Sequence, residues 1–130
     1  MTKRSYIWIS TGGAGMVDYS MCCQTVTVYR VMPDRLERRV IDGCFIQWNA
    51  FMAGEPGQLQ WLEEGFMLIQ PGTEQLVFAE DYVYEGVGPE LTLDEWDLFV
   101  LTAGRFLGKV NYATAYRWKG VFCHTEAGRK

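Results

Sequence analysis

Apolar and polar positions alternate along most of this chain, and the alternation breaks at turns rich in glycine and proline. Period-two alternation places every second side chain on one face of a strand, so these stretches read as half-buried β-strands. Residues 6–9 form a short apolar run that stops at Ser10-Thr11-Gly12-Gly13. Residues 24–32, rich in Val, Thr and Tyr, read as a strand closed by the Pro33-Asp34 turn. Residues 36–41 and 44–48 flank Asp42-Gly43. Both turn residues tolerate the positive φ of a type I′ turn, which predicts a hairpin and a three-stranded meander over 24–48. Residues 54–57 read as a loop, and residues 59–64 as one or two helical turns ended by Gly65. A second hairpin is expected from residues 66–69 and 76–79 around Pro71-Gly72. Residues 82–84 continue its second strand, and residues 86–89 break it. Near the end, residues 112–118 and 121–124 read as strands around Lys119-Gly120, and residues 126–130 as a frayed tail.

The period changes from two to 3.6 over residues 93–107. Leu93, Trp96, Phe99, Val100, Ala103, Phe106 and Leu107 follow helical spacing, and Leu98 and Leu101 widen the apolar stripe. That breadth predicts a helix well buried across a sheet. Thr92 and Glu95 form a T-x-x-E capping box at its start. Gly108 stands where a terminating glycine belongs, and Arg105 complements the C-terminal end of the helix dipole. The expected architecture is α+β: a mainly antiparallel sheet of about five to seven strands packed on one principal helix, in one compact domain spanning residues 1–130.

Composition supports a packed domain. Of the 130 residues 48 % are apolar, with five Trp, seven Tyr and seven Phe, enough to build a core without disulfides. Cys22, Cys23, Cys44 and Cys123 match no disulfide scaffold and read as reduced and mostly buried. The run at residues 6–9 is too short for a secretory leader, and no stretch reaches transmembrane length, so a cytoplasmic protein without a membrane partner is expected.

Charge changes the picture. No Lys or Arg occurs between Arg39 and Arg105, and residues 40–104 carry twelve acids. The flanks hold all twelve bases and four acids, so a middle of −12 faces flanks of +8, giving −4 in total. The densest acidic piece runs from Glu80 to Asp97. Glu80, Asp81, Glu85, Glu90, Asp94 and Asp97 are candidate partner-binding charges there, with Tyr82, Tyr84 and Trp96 as interleaved aromatic anchors. Spaced carboxylates can imitate a row of phosphates and steer a basic partner. Helical spacing also makes Trp96 a core candidate, and Asp94 and Glu95 also suit a helix N-terminus.

The remaining chemistry is thin. Gly12-Gly13-Ala14-Gly15 matches neither the dinucleotide-binding fingerprint nor the P-loop, so a flexible loop or wide turn is the expectation, with ligand binding left open. Cys123-His124 and Cys22-Cys23 lack metal-ligand spacing, and His124 is the only histidine. Glu63-Glu64 and Glu80-Asp81 are carboxylate pairs of a kind too common to indicate catalysis. Arg38 and Arg39 would point to opposite faces of a strand, so Arg35, Arg38 and Arg39 do not make one basic patch. No catalytic residue, metal site or cofactor is expected, and no direct contact with nucleic acid.

In size and charge the chain is similar to the small acidic inhibitors of phages and mobile elements, such as anti-CRISPR proteins, antirestriction DNA mimics and toxin-immunity proteins. That likeness implies a non-enzymatic protein that binds and inhibits a basic, nucleic-acid-binding protein partner. The alternatives are a small enzyme or small-molecule binder with a pocket between sheet and helix, and a structural protein that self-associates head to tail through opposite charge poles, as a homo-oligomer. If the basic flanks fold back over the acidic middle, the charge argument loses its force.

Overall fold

The computed structural model describes residues 19–53 and 61–129. The expected strand at residues 6–9, the glycine loop and the loop at residues 54–57 lie outside them. One antiparallel sheet of seven strands carries the fold: β1 (Gln24–Val31), β2 (Leu36–Ala53), β3 (Trp61–Pro71), β4 (Tyr82–Glu85), β5 (Leu107–Lys109), β6 (Tyr112–Trp118) and β7 (Val121–Arg129). One helix, α1 (Leu93–Ala103), joins β4 to β5. The α+β class and the sheet on one principal helix agree with the sequence pattern.

The strand order is β5-β4-β1-β2-β3-β7-β6. Its two edge strands are neighbours in the chain, separated only by Val110 and Asn111. The Val110 amide donates to the Asp81 carbonyl, and the Asn111 amide donates to the Gly128 carbonyl. The segment from β5 to β6 therefore bonds first to the β4 side and then to β7. It curls the sheet back on itself and brings its two edges together at Val110 and Asn111.

β2 explains the curl. Eighteen extended residues would span roughly 60 Å if straight, far longer than a typical strand. Its first part pairs with β1 (Val26 opposite Ile41) and its later part with β3 (Ile46 opposite Leu68). Gly43, at φ 70°, lies between the two parts. Asp42-Gly43 is thus a bend in one strand and not the hairpin turn expected from sequence: apolar residues continue on both sides, and each half finds its own partner. The expected meander is two strands. Residues 61–64, expected to be helical, continue β3 opposite residues 50–53. Residues 76–79 form no strand, and the chain crosses there to reach β4. β7 runs to Arg129, paired with Phe66, where a frayed tail was expected.

The concave face holds the core: Val26, Val28, Ile41, Cys44, Ile46, Phe66, Leu68, Val77, Val83, Val110 and Ala127. Gly108 allows this closure. A Cβ there would lie 2.6 Å and 2.8 Å from Phe66 ring carbons and 3.0 Å from the Trp48 ring. Tyr29, Tyr82 and Tyr84 point to the opposite, convex face, where α1 packs. Trp96 lies 5.2 Å from Tyr29 and 5.0 Å from Tyr82, and Phe99 lies 5.5 Å from Tyr29 and 5.6 Å from Tyr84 (ring centroids). Tilted and edge-on aromatic pairs of this kind add about 0.5–1.5 kcal/mol each beyond their buried area.

α1 is shorter than the pattern predicts. It ends at Gly104, whose φ of 64° suits glycine, followed by a single 3-10 turn over Gly104–Phe106. Leu107 and Gly108 belong to β5, because β4 offers Leu107 a ladder partner in Tyr84. The capping box forms: the Thr92 amide donates to the Glu95 carboxylate at 2.8 Å.

Candidate interaction surface

Most of the acids singled out from sequence are occupied within the chain. Asp81 is 2 % exposed. Its carboxylate accepts from Arg30 Nε at 2.8 Å and Nη2 at 2.9 Å, and from the Phe78 amide at 2.9 Å. The same hydrogen bond raises the affinity of Arg30 for its proton. Glu80 pairs with Lys109 at 3.0 Å, and Glu90 lies 3.9 Å from Arg38. Glu85 accepts from Trp48 Nε1 at 2.6 Å. Glu95 caps α1. The basic flanks thus fold back on the acidic middle: Arg30, Arg38 and Lys109 meet Asp81, Glu90 and Glu80.

The aromatic candidates are likewise engaged. Tyr82 and Tyr84 are half-buried under α1, and Trp96 is 5 % exposed. All three hold the helix to the sheet. Asp94 and Asp97 remain, exposed and, among the described residues, without an ion pair. The nine candidates therefore do not make one continuous face.

What the structure adds is the outer side of α1. Asp94, Asp97, Leu98 and Leu101 are spaced i, i+3, i+4 and i+7, which puts them on one side of a helix. Leu98 is 67 % exposed and Leu101 81 %. The inner side is already filled by Trp96, Phe99 and Val100, so a stripe read as uniformly buried is two faces. Beyond the helix, Phe106 is also exposed. Single exposed apolar side chains are ordinary. Two leucines one turn apart, beside two unpaired aspartates on a rigidly packed helix, form a patch with a defined shape.

A second exposed group lies at the β6–β7 turn. Lys119 and Gly120 have φ of 51° and 80°, the positive values of a tight two-residue hairpin turn. Arg117 and Lys119 are exposed and, among the described residues, make no ion pair; each guanidinium or ammonium lies over an aromatic ring, Arg117 over Phe122 and Lys119 over Trp118. Val121, opposite Trp118 in the ladder, is 66 % exposed. Sequence pattern identified the turn but gave these residues no role. Their signal is that neither is drawn into an ion pair among the described residues, which only the fold reveals.

The other candidates contribute little chemistry. An open cleft of about 570 Å³ is lined by Arg30, Glu37, Arg39, Glu74 and Phe78 among others. It lies across the β1–β2 ladder and not between sheet and helix. Arg30 is committed to Asp81, and no Ser, Thr, Cys, His or Lys is among the residues that line the cleft. His124 is hydrogen-bonded through Nδ1 to the Tyr19 hydroxyl and stacked on Tyr116, with centroids 5.0 Å apart. Burial holds the His124 pKa below its ordinary value and raises that of the Tyr19 phenol. Cys22, Cys44 and Cys123 are buried, and Cys23 is exposed. Among the described residues no three His, Cys, Asp or Glu side chains gather as metal ligands, and no helix is long and apolar enough to cross a membrane. The chain matches no known protein-family model, curated protein or solved structure.

Proposed function

We propose that this protein is a non-enzymatic binding protein that joins another protein chain through the outer face of α1. The exposure of Leu98 and Leu101 on a helix anchored by Trp96 and Phe99 carries the reading. Asp94 and Asp97 border the leucines, so the partner surface is apolar with a basic rim. The aspartates act chiefly on encounter and orientation, and the leucines on residence time. This keeps the basic partner expected from sequence and narrows its contact to the helix.

A nucleic-acid-mimicking inhibitor is the narrower version of the same reading. It draws support only from Asp94 and Asp97, because Glu80, Asp81, Glu85, Glu90 and Glu95 are held by groups in the same chain. A small enzyme draws support only from the cleft beside Arg39.

The test is the native size of the protein in an extract of the cells that make it. The wild-type chain is expected to elute as a species larger than its 14.9 kDa, and Leu98→Ser with Leu101→Ser to return it to monomer size. Equal elution of the two would refute a binding role for this face.

A further inference from the structure

The outer face of α1 and the β6–β7 turn are complementary. One presents Leu98 and Leu101 beside Asp94 and Asp97; the other presents Lys119 and the exposed Val121 at the hairpin tip, with Arg117 over Phe122 on the opposite face of the same hairpin. Among the described residues none of these four charges has an ion-pair partner. Both supports are rigid: α1 is pinned by an aromatic layer, and the turn is a tight hairpin whose strands pair from Tyr112–Gly128 to Trp118–Val121.

We infer that the occupant of the α1 face is the β6–β7 turn of a second copy of this chain. The inference rests on the proposed role of α1 and supplies its partner. The contact joins two different surfaces, so each copy keeps one free α1 and one free turn. Such an interface propagates head to tail and gives a closed ring if the rotation closes, or an open filament if it does not. Asp94 and Asp97 would meet Lys119 at the hairpin tip, with Arg117 flanking the contact from the other face of the hairpin, while Leu98 and Leu101 would cover Val121. Because the pairing is between exposed charges, it weakens as salt shortens the screening length from about 10 Å at 0.1 M to about 3 Å at 1 M.

Sedimentation equilibrium of the purified chain, with a compensating charge swap, tests this. Wild type is expected to associate at low salt, with association weakened at least tenfold near 1 M salt. Asp94→Lys with Asp97→Lys should be monomeric alone, and so should Arg117→Glu with Lys119→Glu. Mixing the two variants should restore association, since each mixed contact again sets acid against base. Association of wild type that survives both charge variants, or no recovery on mixing, would overturn the inference. If Leu98→Ser with Leu101→Ser still abolished association in that case, the α1 face would stand and only its occupant would be wrong. A wild type that stays monomeric at low salt would overturn the second copy as occupant, and the native-size comparison in cell extract would then decide the α1 face by itself.

Discussion

Arg30 and Asp81, fifty-one residues apart, form a two-pronged ion pair at 2.8 Å and 2.9 Å between β1 and the start of β4. Asp81 also holds the Phe78 amide, so one buried carboxylate fixes both the sheet and the crossing that leads into β4. Removing one partner of a buried pair costs about 3–5 kcal/mol when the other charge stays buried. Arg30 is partly exposed and can rehydrate. Asp81→Ala is therefore expected to cost about 2–3 kcal/mol, below that range, measured by urea denaturation. Glu80→Ala should change stability by under about 1 kcal/mol, because its pair with Lys109 is exposed.

That pair also shows what the sequence could and could not tell. Local pattern found β1, β4, β6, the start of β7 and the capping box, because these depend on neighbouring residues. It misplaced Asp42-Gly43, where a turn signal serves as a bend because β2 is claimed by two different partners along its length. It overran α1 by four residues, because Leu107 suits a helix as well as the ladder with Tyr84. The segregation of acids from bases was real along the chain, yet Arg30, Arg38 and Lys109 cancel part of it in space. The proposed contact residues Leu98 and Leu101 were visible as apolar positions, but their exposure depends on which side of α1 the aromatic layer fills.

The two sides of α1 should respond oppositely to truncation. Trp96→Ala is expected to cost about 3–5 kcal/mol, as large buried aromatics do. Leu98→Ser with Leu101→Ser should leave stability within about 0.5 kcal/mol per site, as surface substitutions do. Thermal melts of the two variants make the comparison directly.

Gly108 should tolerate no side chain. Gly108→Val would drive its branches into the Phe66 and Trp48 rings, with an expected loss of about 1–3 kcal/mol from overpacking. The loss is read as a fall in the denaturation midpoint with little change in slope.

Acid should destabilise the protein partly through His124. The folded state favours the neutral ring, because burial opposes its charge and Nδ1 faces the Tyr19 hydroxyl. Its folded pKa lies below the ordinary 6.5, so the unfolded chain binds the proton first. This contribution is intact above about pH 6.5 and is lost as pH falls through the lowered folded value. Melting temperature should decline from pH 7 towards pH 5, and His124→Gln should flatten that part of the decline. An equal decline in the variant would place the acid sensitivity elsewhere.

The most direct test of the α1 surface is a photo-crosslinking residue at position 101, compared with one at the exposed Thr73, in cells that make the protein. The α1 account predicts a covalent adduct at 101, sized as two copies of the chain, and none at 73. No adduct at 101, or equal labelling at both positions, would contradict it.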